Sequence, residues 1–174
     1  MSKAFTKEDD DAGDVLLPRL VSPLPPGARN HLTAGGVRRL RAELARLGDT
    51  ERPALRARVN EPGLAGADAK EALQYLEQRV AYLQDCLQTA EVATPPPPPH
   101  DTVHFGATVG VRDQRGVEMT YRIVGVDEAD FDRNEVSWLS PVARALLNAR
   151  LGQTVPFKFP SGAAQLEIIR IAYE

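Results

Sequence analysis

The chain has 174 residues, 43% hydrophobic and 26% charged, so it can form one or two small globular units but not a large α/β enzyme. Its 21 Lys and Arg against 24 Asp and Glu give a net charge of −3, which excludes a strongly basic, histone-like binder of free duplex DNA. The single cysteine, Cys86, excludes an intramolecular disulfide and a multi-cysteine zinc site, and it favours a cytoplasmic location. No apolar run approaches the roughly 20 residues that span a bilayer, so we expect no membrane partner.

Residues 1–30 differ from the rest of the chain in composition. Five of the first 14 residues are acidic, and prolines follow at positions 18, 23, 25 and 26. The segment has too few periodic apolar residues for burial to offset the entropy of ordering it. We predict a flexible, acidic and proline-rich tail.

Residues 31–94 carry two apolar stripes with helical spacing. The first comprises Val37, Leu40, Leu44 and Leu47, with Thr33 as the expected N-cap and Pro53 as the expected site of a kink or restart. Residues 60–67 contain a proline and two glycines, which interrupt the helix and reverse the chain. The second stripe comprises Leu73, Leu76, Val80, Leu83, Leu87 and Ala90. Together the stripes predict a projecting antiparallel coiled-coil hairpin, with arms of about 25 residues and roughly 35 to 40 Å.

Residues 95–100 and 101–174 are predicted to be a linker and a second domain. Five consecutive prolines end the second helix and favour a stiff polyproline II linker. Beyond them the apolar period becomes two, which predicts strands around residues 108–111, 121–124, 136–138 and 166–171. Ser140-Pro141 and Gly152 bound one short helix, over residues 142–151.

Four motifs relate the chain to a known family. The second domain contains Tyr121-Arg-Ile-Val-Gly125 and Ser140-Pro-Val-Ala-Arg-Ala-Leu-Leu147, and the hairpin contains Leu40-Arg-Ala-Glu-Leu44 and Arg79-Val-Ala-Tyr-Leu83. With them the chain resembles the Gre family of bacterial transcript-cleavage factors, especially its GreB branch, over nearly its whole length. The resemblance implies an α+β fold: an amino-terminal antiparallel coiled-coil hairpin and a carboxy-terminal antiparallel β domain like that of FK506-binding proteins, with one short helix. The hairpin tip is about one heptad shorter than the family pattern.

The resemblance also implies a partner and a mechanism. Family members bind bacterial RNA polymerase, insert the hairpin into its secondary channel and promote cleavage of backtracked RNA, so the polymerase remains the enzyme. The family motif places two carboxylates at the tip, where they help to hold Mg²⁺ in the polymerase active site, and Asp68 and Glu71 keep their spacing. Mg²⁺ accepts one or two protein carboxylates and lowers the pKa of its bound water. We therefore expect a monomer without a stably bound cofactor, with polymerase and the nascent RNA 3′ end as partners.

The family's polymerase-binding region corresponds to Ser140, Pro141 and Arg144 in the 101–174 domain. Pro141 is equally well explained as a residue that starts a helix.

Two interpretations of Asp68 and Glu71 remain open. Asp-Ala-Lys-Glu also fits a capping box at the start of the second helix, which would need no metal. Removing a heptad from a hairpin withdraws its tip by about 5 Å, which could abolish cleavage even with both acids present. The alternative function is therefore a non-cleaving Gre-like or Rnk-like regulator that occupies the channel. Prolyl isomerisation is a third function, supported by fold analogy alone.

The remaining candidates are assigned as follows. Arginines near the tip, Arg52, Arg56 and Arg58, could form interhelical ion pairs or face RNA, because guanidinium groups bind phosphate bidentately. Residues 127–132 are rich in acids but lack calcium-loop spacing, which predicts a solvated turn. Cys86 is predicted to be a helix-surface thiol, and no role is assigned to the three histidines.

Overall fold

The computed structural model describes residues 20–159 and 162–173, with the backbone alone for Phe159. Most of the predicted tail, residues 1–19, lies outside the described residues. Residues 20–29 form turns and extended segments that lead into the first strand.

The amino-terminal part is a helical hairpin. Its first arm consists of α1 (Ala34–Arg46), a π-helical turn (Leu47–Glu51) and α2 (Arg52–Arg58), and its second arm is α3 (Leu64–Thr89). Thr33 caps α1 as predicted, since its hydroxyl accepts a hydrogen bond from the amide of Gly36 at 2.9 Å. Pro53 lies in the first turn of α2, and the wider π turn precedes it. A π turn accommodates the ring and the missing amide hydrogen without ending the arm.

The predicted apolar stripes form the hairpin core. Val37, Leu40 and Leu47 of the first arm are buried, and so are Leu76, Val80 and Leu83 of the second. Cys86 is buried with them, so the predicted surface location of this thiol is wrong. It lies three residues beyond Leu83, on the helix face that the strand before α1 covers, and periodicity within the arms does not reveal that strand.

A short parallel ladder that the sequence pattern does not predict joins the two ends of the hairpin. Strand β1 (Asn30–Leu32) precedes α1, and strand β2 (Ala90–Val92) follows α3. The buried side-chain amide of Asn30 also donates to the carbonyl oxygen of Cys86 at 3.0 Å. The base of the hairpin is therefore held by both backbone and side-chain hydrogen bonds.

The carboxy-terminal domain is a five-stranded sheet in the order β5-β4-β3-β7-β6. Its strands are β3 (Thr108–Arg112), β4 (Glu118–Val124), β5 (Glu135–Ser137), β6 (Thr154–Phe159) and β7 (Gly162–Ala172). Three of the neighbouring pairs are antiparallel, and β4 with β5 is parallel, so the sheet is mixed rather than wholly antiparallel.

Helix α4 (Pro141–Leu146) closes the core of this sheet. Its residues Ala143 and Leu146 are completely buried against the strands. The helix is shorter than predicted because the chain leaves it at Leu147 and Asn148 adopts a left-handed φ of 66°. The predicted α+β fold, with a helical hairpin followed by a β domain, is confirmed. None of the described helices is long and apolar enough to cross a membrane.

Candidate functional site

The free end of the hairpin is a tight turn between α2 and α3. Gly63 is the N-cap of α3, and Gly66 packs against the backbone carbonyl of Glu61 so closely that a Cβ atom would overlap it. Leu64, the first residue of α3, is 83% exposed. The end of the hairpin is therefore a compact turn that presents an apolar side chain.

Asp68 and Glu71 lie on α3 behind this turn. At 1.5 Å per residue they are about 6 and 10 Å along the helix from Leu64, and their separation of three residues places them on one helix face. Both side chains are exposed, and neither has an ion-pair or hydrogen-bond partner among the described residues. The capping interpretation of Asp68 is wrong, because the helix starts four residues earlier.

Two carboxylates alone do not complete a metal site. No group of three or more His, Cys, Asp or Glu side chains in the described part of the chain could hold a metal ion. Mg²⁺ usually retains waters and takes only one or two protein carboxylates when a substrate supplies the other ligands. Asp68 and Glu71 therefore fit Mg²⁺ only where another molecule completes its coordination.

The arginines near the tip contact acids of the hairpin. Arg52 and Arg56 both contact the carboxylate of Glu77 on the opposite arm, at 2.9 and 3.1 Å, and Arg58 lies 3.9 Å from Glu61. Arg56 and Arg58 remain more than half exposed. Exposed ion pairs contribute little stability, about 0 to 1 kcal/mol, so these guanidinium groups can exchange partners readily. The RNA-facing role of all three arginines stays a prediction.

Helix α4 and the residue before it carry the residues predicted to bind polymerase. The hydroxyl of Ser140 accepts a hydrogen bond from the amide of Ala143 at 3.2 Å, and Pro141 occupies the first turn. Pro141 and Arg144 are exposed. Ser140 and Pro141 thus have a structural role in starting α4, and their binding role stays a prediction.

The hairpin base and the carboxy-terminal domain meet around Glu128. This residue is only 4% exposed, and its carboxylate accepts hydrogen bonds from the backbone amides of Thr33 at 2.7 Å and Gly125 at 3.0 Å. The Thr33 hydroxyl donates a third. An acid of one domain therefore lies at the N-terminus of α1 in the other, where the positive end of the helix dipole stabilises it.

Asp127 makes a second set of contacts across the junction. The Tyr82 hydroxyl and the Cys86 thiol, both on α3, donate hydrogen bonds to its carboxylate. Burial raises the pKa of Tyr82, and the bond to Asp127 raises it further. Burial is also the main cause that raises the pKa of Cys86 to about 11. The hydrogen bond from the Asn30 amide to the sulfur lowers this pKa and only partly offsets the effect of burial. Both groups therefore remain protonated at neutral pH.

This junction between the hairpin and the β domain is not predicted by the sequence pattern. For Asp127 and Glu128 the predicted solvated turn is wrong, because both carboxylates accept hydrogen bonds from the hairpin, and Thr33 and Glu128 are 95 residues apart in the chain. Arg39 adds an ion pair to the buried Glu135 at 2.7 Å. His31, which was assigned no role, packs beside the rings of Phe105 and Trp138.

Comparison with known proteins identifies the family. Residues 98–173 match the family model described as transcription elongation factor, GreA/GreB, C-terminal. The chain is 35% identical to transcription elongation factor GreB of Neisseria meningitidis serogroup B, covering 83% of this chain and 94% of the relative. It is 37% identical to transcription elongation factor GreA of Anaeromyxobacter, covering 82% and 91%. A solved GreA/GreB factor from Nitrosomonas europaea is 22% identical, with a TM-score of 0.41 over 83% of this chain and 100% of that one. The sequence relatives show that the chain belongs to the GreA/GreB family of transcription elongation factors.

Proposed function

We propose that this protein binds bacterial RNA polymerase, inserts its hairpin into the secondary channel and promotes cleavage of backtracked RNA by the polymerase. The exposed pair of carboxylates near the free end of the hairpin is the observation that carries this proposal. Asp68 and Glu71 share one face of α3 and have no partner among the described residues, so both are available to a metal in another molecule.

The hairpin has three tasks in this mechanism. Its length carries the carboxylates away from the carboxy-terminal domain, since the 26 residues of α3 span about 39 Å. Asp68 and Glu71 would contribute anionic oxygen ligands to Mg²⁺, which when bound lowers the pKa of a coordinated water. Arg52, Arg56 and Arg58 would attract the phosphates of the displaced RNA and hold it close to the carboxylates.

The carboxy-terminal domain would supply the docking surface. Pro141 and Arg144 are exposed on α4, and the capping bond of Ser140 fixes the start of that helix. A rigid, exposed helix start suits recognition of another protein surface.

The test is an RNA-cleavage assay on stalled elongation complexes with the full-length chain. Asp68→Asn should remove most stimulated cleavage while leaving the affinity for polymerase and the free energy of unfolding almost unchanged, because Asp68 is exposed and is not the helix cap. Asp85→Asn is the matched control, since Asp85 is an exposed acid on the same helix about 26 Å nearer the base. Equal cleavage by wild type and Asp68→Asn would contradict the metal role.

A second candidate is a regulator that occupies the channel without stimulating cleavage. It is favoured by the set-back position of the acids, because exposed Leu64 and the turn, rather than a carboxylate, form the end of the hairpin. In the same assay, a wild-type chain that binds polymerase and competes with a cleaving factor, but releases no RNA fragment, would support this candidate.

A further inference from the structure

A cavity of about 370 Å³ lies where the hairpin base meets the carboxy-terminal domain. Four of its lining residues are arginines from both sides of the junction: Arg38 and Arg39 on α1, Arg122 on β4, and Arg133 just before β5. Glu135 is the one acidic residue in that lining. Neither the tip carboxylates nor the α4 surface belongs to this cavity.

The acids around the cavity do not neutralise all four of its arginines. Arg39 and Arg122 both lie against the Glu135 carboxylate, at 2.7 and 3.8 Å. Arg133 contacts Asp130 only at 3.9 Å and is 57% exposed. Arg38 is exposed and has no ion pair among the described residues. The attraction for an anion therefore comes mainly from Arg38 and Arg133.

The N-terminus of α1, which adjoins the cavity, is not available to bind an anion. Glu128 already lies at the start of α1 and accepts the hydrogen bonds of Thr33. An anion in the cavity would be held by guanidinium groups rather than by the helix dipole.

We propose that this cavity binds a small polyphosphate anion, such as pyrophosphate or the phosphate chain of a nucleotide. Guanidinium groups bind phosphate bidentately, and several of them around one cavity suit a multiply charged ligand better than a single carboxylate. The volume is at the lower end of the range for small-molecule sites, which favours a compact ligand.

Isothermal titration of the full-length protein with sodium pyrophosphate at low salt tests the proposal. We expect one site per chain, with affinity reduced about tenfold or more in Arg38→Gln and in Arg133→Gln. Both residues are exposed, so thermal unfolding should show that the variants fold. Arg150→Gln is the matched control, because Arg150 is exposed but does not line the cavity, and its affinity should stay within about twofold of the wild type.

A second measurement follows from the position of the site. Because the arginines come from both units, bound pyrophosphate should raise the melting temperature of the wild type, and the shift at the same pyrophosphate concentration should be clearly smaller in Arg133→Gln. Equal weakening by all three substitutions would mean general surface electrostatics and would overturn the proposal. So would the absence of pyrophosphate binding, including the case in which only an RNA oligonucleotide binds.

Discussion

Cys86 combines a buried thiol with a carboxylate acceptor at the domain junction. Its side chain is packed in the hairpin core, and the sulfur lies 3.3 Å from an oxygen of Asp127. The loss of water on burial is the largest cause that disfavours the thiolate, and the acid beside the sulfur adds to it, so the pKa of Cys86 rises to about 11 from an ordinary value of 9.0. The thiol is therefore a structural donor rather than a nucleophile.

This shift predicts a pH dependence of stability. Between about pH 9 and 11 the unfolded chain loses the Cys86 proton while the folded chain retains it, so the free energy of unfolding should fall as pH rises. Urea unfolding at about pH 8 and about pH 10.5 should show a steeper fall in the wild type than in Cys86→Ala. Tyr82 is present in both proteins, so most of its own contribution to the pH dependence cancels in the comparison. Equal slopes in the two proteins would contradict the assignment.

At the scale of the elements, the start of α1 depends on two adjacent glycines in different ways. A Cβ atom on Gly36 would overlap the Glu128 carboxylate, whereas one on Gly35 would meet its nearest neighbour at an ordinary 3.7 Å. Glu128 cannot move aside cheaply, because it is buried and accepts hydrogen bonds from Thr33 and Gly125. The start of α1 therefore requires a glycine at position 36 but not at position 35.

Alanine substitutions at these glycines form a matched pair. Gly36→Ala should lower the free energy of unfolding by about 2 to 4 kcal/mol, since displacing Glu128 leaves buried donors unpaired. Gly35→Ala should leave it unchanged or raise it by up to about 1 kcal/mol, because Ala favours helix over Gly. Urea unfolding of both variants measures the difference, and equal effects would show that Glu128 relaxes without losing its partners.

The elements also differ in how far the sequence predicts them. Stripes such as Val37 to Leu47 and Leu76 to Leu83 repeat locally, so they predict both hairpin arms before any long-range contact is known. Strands β1, β2 and β6 were missed, because Asn30–Leu32 and Ala90–Val92 are too short for a period and Pro156 interrupts the alternation in Thr154–Phe159. Ala90 therefore begins a strand and does not continue the predicted helical stripe. The three-residue spacing of Asp68 and Glu71 predicted that they share a helix face, but not where α3 begins.

At the scale of the whole molecule, buried polar contacts connect the hairpin with the carboxy-terminal domain. Acids of the segment from Asp127 to Glu135 contact Thr33 and Arg39 on one arm, and Tyr82 and Cys86 on the other. The sequence could not predict this junction, because the residues around a buried acid and around a solvated acid can look alike in sequence. Only the hydrogen-bond donors distinguish the two cases, and here they come from distant parts of the chain. The two domains should therefore stabilise each other.

A double-mutant cycle measures this coupling. Tyr82→Phe and Asp127→Asn should each destabilise the full-length chain, and together they should cost less than the sum, with a coupling energy of about 0.5 to 3 kcal/mol. Arg112 and Glu118, an exposed ion pair within the β domain, provide the control cycle, for which we expect less coupling. Additive effects of Tyr82→Phe and Asp127→Asn in urea unfolding would show that this pair does not couple the two domains.

The contacts to both arms give the junction a mechanical consequence. Helix α3 is a lever about 39 Å long, so a rotation of about 5° at its base would displace the far end by roughly 3 Å. A carboxylate must approach Mg²⁺ to about 2.1 Å, and an error of that size exceeds the tolerance of such a bond. A small angular error at Glu128 and Asp127 therefore becomes a large positional error at Asp68. Substitutions that loosen the base should broaden the distribution of tip positions without altering any residue of the tip.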